Sequence, residues 1–301
     1  MPFNDVKDVQ KQLESVRYIA SQEIATVVFL AVATEKPILI EGPAGVGKTQ
    51  LAKALSMCLD RQLIRLQCYE GLDEAKALYE WEYAKQLLYT QMVKDRINHV
   101  ISDARTLPEA VDRIASQEDA FFSERFVQPR PLLQAISSPD PVVLLIDEVD
   151  KSDPEFEAFL LELLSDFQVT IPELGTRKPL TIPLVILTSN NYRDMSDALK
   201  RRCLHLYIDY PEPEIEMEIV RMKLPGISVK LVEQLIRTIT AIRGMELRKK
   251  PCISESIDWA RSLIALEKDE LTLPDASATL NTVCKYRSDL LKVRQQLSQM
   301  I

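Results

Sequence analysis

Near the start of the chain Val6, Val9, Leu13 and Val16 recur at three- and four-residue spacing, which predicts an amphipathic helix from about Asp5. A second helical pattern runs to Ala33. It is followed by "PILIE", a short apolar run of the kind that is buried on both sides in a parallel sheet. Four similar runs come later: "LIRLQC" at Leu63, "VVLLI" at Val142, "LVILT" at Leu184 and "LHLYI" at Leu204. Helical patterns separate them, and that alternation predicts an α/β fold with a parallel five-stranded sheet between helices. One intervening helix is especially clear. Asp153 stands at the cap position and Pro154 in the first turn, and Phe156, Phe159, Leu160, Leu163, Leu164 and Phe167 form a stripe that reads as core. "QVTIPELGTRKPLTIP" then alternates on either side of a loop containing Gly175, predicting a hairpin at about 168–183.

From about Tyr69 to Val127 the chain is charged and mostly helical in pattern, and long for a connection, so an insertion with structure of its own is expected at about 70–127. After "DYPEPE" the strand pattern stops. Pro211 and Pro213 mark the boundary between an α/β domain, 1–211, and an all-α domain, 212–301, with Leu231, Val232, Leu235, Ile236 and Ile239 on one helix face.

A net charge of −8 argues against broad attraction to nucleic acid or anionic membranes, although 37 lysines and arginines leave room for a local basic groove. The longest apolar run, near Ile24 to Ala33, falls short of the roughly 20 residues that span a bilayer. "MPFNDVKDVQKQLESV" lacks the apolar stretch of a signal peptide, and the expected location is cytoplasmic. Cys58, Cys68, Cys203, Cys252 and Cys284 stand singly, which fits neither a disulfide framework nor a zinc site.

The chain holds only seven glycines, yet three fall in "GPAGVGKT". Gly42, Gly47, Lys48 and Thr49 fit G-x-x-x-x-G-K-[ST], with Pro43, Ala44, Gly45 and Val46 between them and Gln50 after. A loop whose main-chain N–H groups turn inward cradles phosphates and needs dihedrals that glycine tolerates. The helix that follows adds its positive end. Lys48 is placed to reach the β- and γ-phosphates of ATP, and the Thr49 hydroxyl to bind Mg²⁺.

Three further elements accompany this loop. "VVLLIDEVD" ends a buried strand in Asp147 and Glu148, where ligands bind in such sheets. Asp147 is suited to hold magnesium through its water shell, and Glu148 to polarise an attacking water. Asp150 and Lys151 read as surface residues or as supports behind that pair. "LVILTSNN" puts Asn190, with Asn191 as the neighbouring alternative, where an amide meets the γ-phosphate or the water. "DALKRRCLHLYIDYP" places Arg201 and Arg202 before the last strand, where taken alone they read as a solvated basic pair.

Together these stretches resemble the AAA+ ATPases and, within them, the MoxR branch; "SDALKRRC" and "ISESIDWARSL" are most similar to the CoxD-type members. The resemblance covers about Ile19 to Pro211. It implies a P-loop core followed by an all-α lid, with Gly42 to Thr49 as the Walker A loop, Asp147 and Glu148 as the Walker B pair and Asn190 as sensor 1. Arg201 or Arg202 would be an arginine finger acting on a neighbouring subunit. It also implies a homo-hexamer, ATP with Mg²⁺, a partner carrying a von Willebrand factor A domain, and a client enzyme remodelled during metal-cofactor assembly. For CoxD-type members the client is a molybdenum hydroxylase. Two departures stand out. Ser254 and its neighbours occupy the stretch where the family often has the sensor-2 arginine, with Arg261 two turns further on. Tyr192 replaces a common proline. The rival readings are a DNA-associated motor or clamp loader, which the acidic balance disfavours, and a scaffold that binds ATP without turning it over.

Overall fold

The computed structural model describes residues 2–92, 106, 124–171 and 175–301. Helices α1 (Val6–Ser15) and α2 (Gln22–Thr34) come first, capped by Asp5 and Ser21, whose side chains accept the N–H groups of Asp8 and Ile24. The strands are β1 (Ile38–Glu41), β2 (Gln62–Gln67), β5 (Val142–Asp147), β8 (Leu184–Ser189) and β9 (Leu204–Tyr207), all parallel in the order β2-β5-β8-β1-β9. The predicted five-stranded sheet is therefore present.

Every residue of β5 is buried, because both faces of the sheet are covered. Val143 and Leu145 pack with α1, α2 and α3 (Lys48–Cys58) on one side, through Val9, Val28 and Leu51. Leu144 and Ile146 pack on the other with Leu132 of α6 (Pro131–Ile136) and with Phe156 and Leu160 of α7 (Pro154–Asp166). The aromatic stripe of α7 is thus core, as its spacing predicts. Asp153 occupies the cap position of α7, but its side chain makes no capping bond. Its carboxylate instead accepts the N–H of Gly71 at 3.2 Å, tying the loop after β2 to the start of α7.

The insertion departs from the helical expectation. Its described parts are α4 (Glu74–Leu78), α5 (Tyr83–Met92) and an antiparallel ribbon of β3 (Tyr79–Trp81) with β4 (Val127–Pro129). Local periodicity could not show the ribbon, since its partners lie 46 to 50 residues apart. Residues 93–105 and 107–123 of the expected insertion lie outside the described residues. A second ribbon pairs β6 (Val169–Ile171) with β7 (Gly175–Arg177). Gly175 pairs with Ile171 as the first residue of β7 rather than sitting in the loop, with φ +75.

Helix α8 (Asp197–Arg202) leads into β9, after which every described element is helical. α9 (Pro213–Lys223), α10 (Val229–Arg243), α11 (Ile253–Ala265), α12 (Leu273–Thr279) and α13 (Arg287–Gln296) enclose their own apolar cluster around Leu235, Ile239, Trp259 and Leu263. Among the described residues no helix is long and apolar enough to cross a membrane.

Candidate nucleotide site

A cleft of about 900 Å³ lies between the start of α3, the carboxyl ends of β5 and β8, the segment Arg17–Ile24 and the C-terminal helices. The loop from β1 to α3 forms its floor. Gly47 caps α3 in the left-handed conformation with no side-chain capping bond, so the first amides of α3 are left for a ligand. The glycines have a further reason to be there. A Cβ on Gly42 would stand 1.9 Å from the carbonyl oxygen of Ile208, and one on Gly45 would stand 2.1 Å from Cys252 Sγ. Gly42 and Gly45 are thus required by Ile208, just after β9, and by the cap of α11 as well as by the turn.

Lys48 is 5% exposed and donates to the carbonyls of Gly42 and Pro43 at 2.7 Å and to Asn190 Oδ1 at 2.8 Å. Burial pulls its ammonium down to about 8, opposed by Asp150, Asp147 and Glu148. Thr49 Oγ1 donates to the Asp147 carboxylate at 3.0 Å. Asn190 Nδ2 donates to Glu148 Oε1 at 3.1 Å. The amide of Asn190 therefore bridges the lysine of the loop and the glutamate of the strand tip. Asn191 is exposed, left-handed and bonded only through its own N–H to Ser189 Oγ, so of the two asparagines it is Asn190 that enters the site.

Ala44 to Gln50, Asp147, Glu148 and Asn190 line the cleft; Gly42 and Pro43 do not, and enter it only through carbonyls that hold Lys48. Arg201 and Arg202 are exposed at the end of α8, outside the cleft. Arg202 is anchored: it donates to Ser165 Oγ of α7 and, at 3.1 Å, to the carbonyl of Ala198. Ile253, Ser254 and Ile257 of α11 reach the cleft, whereas Arg261 is exposed and pairs with Asp258 at 3.6 Å.

Arg65, Gln67 and Thr188 join the acidic pair with nothing in their own stretches to name it as their partner, whereas Lys151 is the support its place in the sequence suggests. Arg65 and Gln67 project from the same face of β2. Arg65 donates to Asp147 Oδ2 at 2.6 Å, and Gln67 Nε2 donates to Glu148 Oε2 at 2.9 Å. Thr188 of β8 accepts the Glu148 N–H at 2.9 Å and donates its own proton to Asp147 Oδ1. Lys151 donates to Glu148 Oε2, which raises the lysine's own pKa. Glu148 itself is left-handed, φ +56, which swings it out of line with β5. Polar residues two apart at the end of a strand, such as Arg65 and Gln67, are the signal that they share one face; which strand they neighbour is a matter of topology.

Of the two readings of Asp150 the structure favours the support: it is 1% exposed and accepts the main-chain N–H groups of Asn190 and Tyr192.

The donor set suits a nucleotide with magnesium. Thr49 and Asp147 offer the hard oxygens that Mg²⁺ takes alongside phosphate. Among the described residues no group of three or more His, Cys, Asp or Glu is placed to hold a metal ion.

A parallel sheet with a glycine-rich strand-to-helix loop, a buried lysine and an acidic strand tip defines a P-loop nucleoside-triphosphatase fold. Residues 37–203 match the AAA domain, dynein-related subfamily, and the chain belongs to that family. Domains of this kind generally bind and hydrolyse ATP with magnesium, and proteins carrying them commonly form oligomers. Relatives include uncharacterized proteins of Staphylococcus saprophyticus, 24% identical, and Staphylococcus haemolyticus, 25% identical; each match spans 261 residues, 84% of this chain and 85% of the relative. Among solved structures, the Thermotoga maritima RuvB Holliday junction branch migration motor is 15% identical with a TM-score of 0.49, covering 97% of this chain and 76% of that one. At that distance the likeness says nothing of what this chain acts on.

Proposed function

We propose that the protein is an ATP-hydrolysing AAA+ chaperone of the MoxR type, which remodels a client enzyme during metal-cofactor assembly. The observation that carries the ATPase part is the convergence, from four separate segments, of Lys48, Thr49, the Asp147–Glu148 pair and Asn190 on one cleft. In this reading residues 1–211 are the ATPase unit and 212–301 the lid.

The amides of Ala44 to Thr49 and the Lys48 ammonium hold the triphosphate. Magnesium bound with the nucleotide would neutralise charge on the β- and γ-phosphates, and Thr49 and Asp147 would hold it. Glu148 takes up the proton of the attacking water, with its carboxylate oriented by Asn190 and Gln67. Neither Arg201 nor Arg202 lines its own cleft, which fits a finger offered to the next protomer of a homo-hexamer. The MoxR assignment, the von Willebrand factor A partner and a molybdenum hydroxylase client rest on the resemblance of "SDALKRRC" and "ISESIDWARSL" to CoxD-type members.

Two substitutions test the reading. Lys48→Ala is expected to lose nucleotide binding, and Glu148→Gln to bind ATP without turnover. Appreciable hydrolysis by the Glu148→Gln protein would remove Glu148 from the role of base. The same variant, trapped with ATP in cells, is expected to retain a metalloenzyme client; salt-sensitive stimulation of the wild-type ATPase by DNA would instead favour a nucleic-acid motor.

A further inference from the structure

Asp150 is a buried carboxylate for which the chemistry above has no use. It sits in the short turn Val149–Lys151 that follows the acidic strand tip. Oδ2 accepts two main-chain N–H groups, from Asn190 at 3.0 Å and from Tyr192 at 2.9 Å. Oδ1 is buried with no hydrogen-bond partner. Burying a charge is costly unless it is paired, and an uncharged side chain could accept two N–H groups equally well. Asp150 nonetheless holds the turn at 190–192 from a fully buried position.

Its surroundings supply the reason. Of the carboxylates around Lys48, Asp150 exerts the largest pull on the ammonium. The turn is also held by the Asn191 N–H on Ser189 Oγ and by Arg193 on the Ser152 carbonyl. Asn191 is nonetheless left-handed and exposed, Tyr192 is 83% exposed, and Asp150 alone accepts the N–H groups of 190 and 192. The Asn190 side chain, which leaves this turn, must nevertheless meet Lys48 on one side and Glu148 on the other.

We propose that Asp150 is a positioning residue for ATP hydrolysis: it pins the main chain at 190 and 192 so that the Asn190 amide spans Lys48 and Glu148. This rests on the ATPase reading above. Asp150 does not touch the nucleotide; it acts through Asn190.

Asp150→Ala removes the acceptor, while Asp150→Asn keeps one oxygen able to accept both N–H groups. Turnover and nucleotide binding are measured on the full chain, with wild type and Glu148→Gln alongside. The Ala variant is expected to lose about 100-fold in kcat, the size of losing one preorganised donor, with nucleotide affinity within about threefold of wild type. The Asn variant is expected to recover at least about tenfold of that loss. Turnover of the Ala variant within twofold of wild type, a loss confined to KM, or an Asn variant no faster than Ala overturns the proposal. If the Ala protein does not fold, the Asn variant decides alone: activity supports the pin, and inactivity in a folded protein overturns it. Amide hydrogen exchange over residues 189–193 gives a second reading that needs no turnover. Faster exchange in Ala than in Asn supports the pin, and unchanged exchange overturns it. A wild type without turnover would sink the ATPase reading and leave the exchange result to judge Asp150.

Discussion

Lys48 Nζ and Asn190 Oδ1 stand 2.8 Å apart although 142 residues separate them in the chain. Parallel pairing makes this possible: β1, which leads into the loop, lies directly beside β8, which ends one residue before Asn190, with Glu41 opposite Ser189. The two strands deliver their next residues to the same edge of the sheet, and the cleft forms there.

The pH dependence of this contact has a definite sign. Burial holds the Lys48 pKa at about 8, below the ordinary lysine value of 10.5. Nucleotide affinity is expected to fall as pH rises through about 8, because the ammonium is lost. The stability of the nucleotide-free protein responds in the opposite sense. Between about 8 and 10.5 the unfolded chain binds the proton and the folded one does not, so this group's contribution to stability rises with pH over that window and is flat below it. Titration with a fluorescent ATP analogue and denaturant melts, each from pH 7 to 10, measure the two slopes; Lys48→Met removes both.

Asp147 is expected to govern magnesium rather than nucleotide as such. Asp147→Asn should raise the magnesium needed for half-maximal nucleotide binding by about 10–100-fold, the usual scale for a group that orients a metal's shell. Thr49→Val, which deletes the hydroxyl bonded to Asp147, should move it in the same direction. Magnesium titrations at fixed nucleotide check this, and an unchanged midpoint in both variants would count against the assignment.

The two arginines of α8 are separable by experiment. Arg202 is already engaged by Ser165 and by the carbonyl of Ala198, which leaves Arg201 as the better placed to reach another protomer. Arg201→Ala is expected to lower the turnover of the assembled protein by about 10³ or more, and Arg202→Ala by much less. Mixing Arg201→Ala with Glu148→Gln protomers should restore some activity, since a Glu148→Gln protomer still offers its arginine to the intact cleft of an Arg201→Ala neighbour.

Stability of the helical region depends on one buried ion pair. Arg243 binds Glu216 through both terminal nitrogens, one at 2.7 Å, with Glu216 fully buried. The guanidinium also stacks 4.8 Å above the Tyr210 ring at the cleft. Glu216→Ala is expected to cost about 3–5 kcal/mol in denaturant unfolding, because it strands a buried cation. Replacing both residues with apolar ones of similar volume should cost far less.

The chain announces the parts of this site that are contiguous. "GPAGVGKT" and "LLIDE" carry their chemistry in local spacing, and the five apolar runs that became the sheet are equally local. Relationships set by topology are not visible in that way. Arg65 and Gln67 look like ordinary surface residues of a strand until β2 is known to lie beside β5, with Gln67 opposite Asp147. Asp150 reads equally as a surface residue or as a support, and only the folded turn at 190–192 decides for the buried support. Asp153 has the composition and place of a helix cap, yet the Gly71 N–H competes for its carboxylate and wins. The ribbon of β3 and β4 is the extreme case, three-residue strands too short for any periodicity.

The close approach of Cys252 Sγ to Gly45 has a mechanical consequence. The glycine-rich turn lies between Ile208, just after β9, on one flank and Cys252, the residue before α11, on the other, with no room for a Cβ toward either. A side chain at position 45 would therefore have to displace a residue more than 200 positions downstream, and Gly45→Ala is expected to disturb the start of α11 together with the turn.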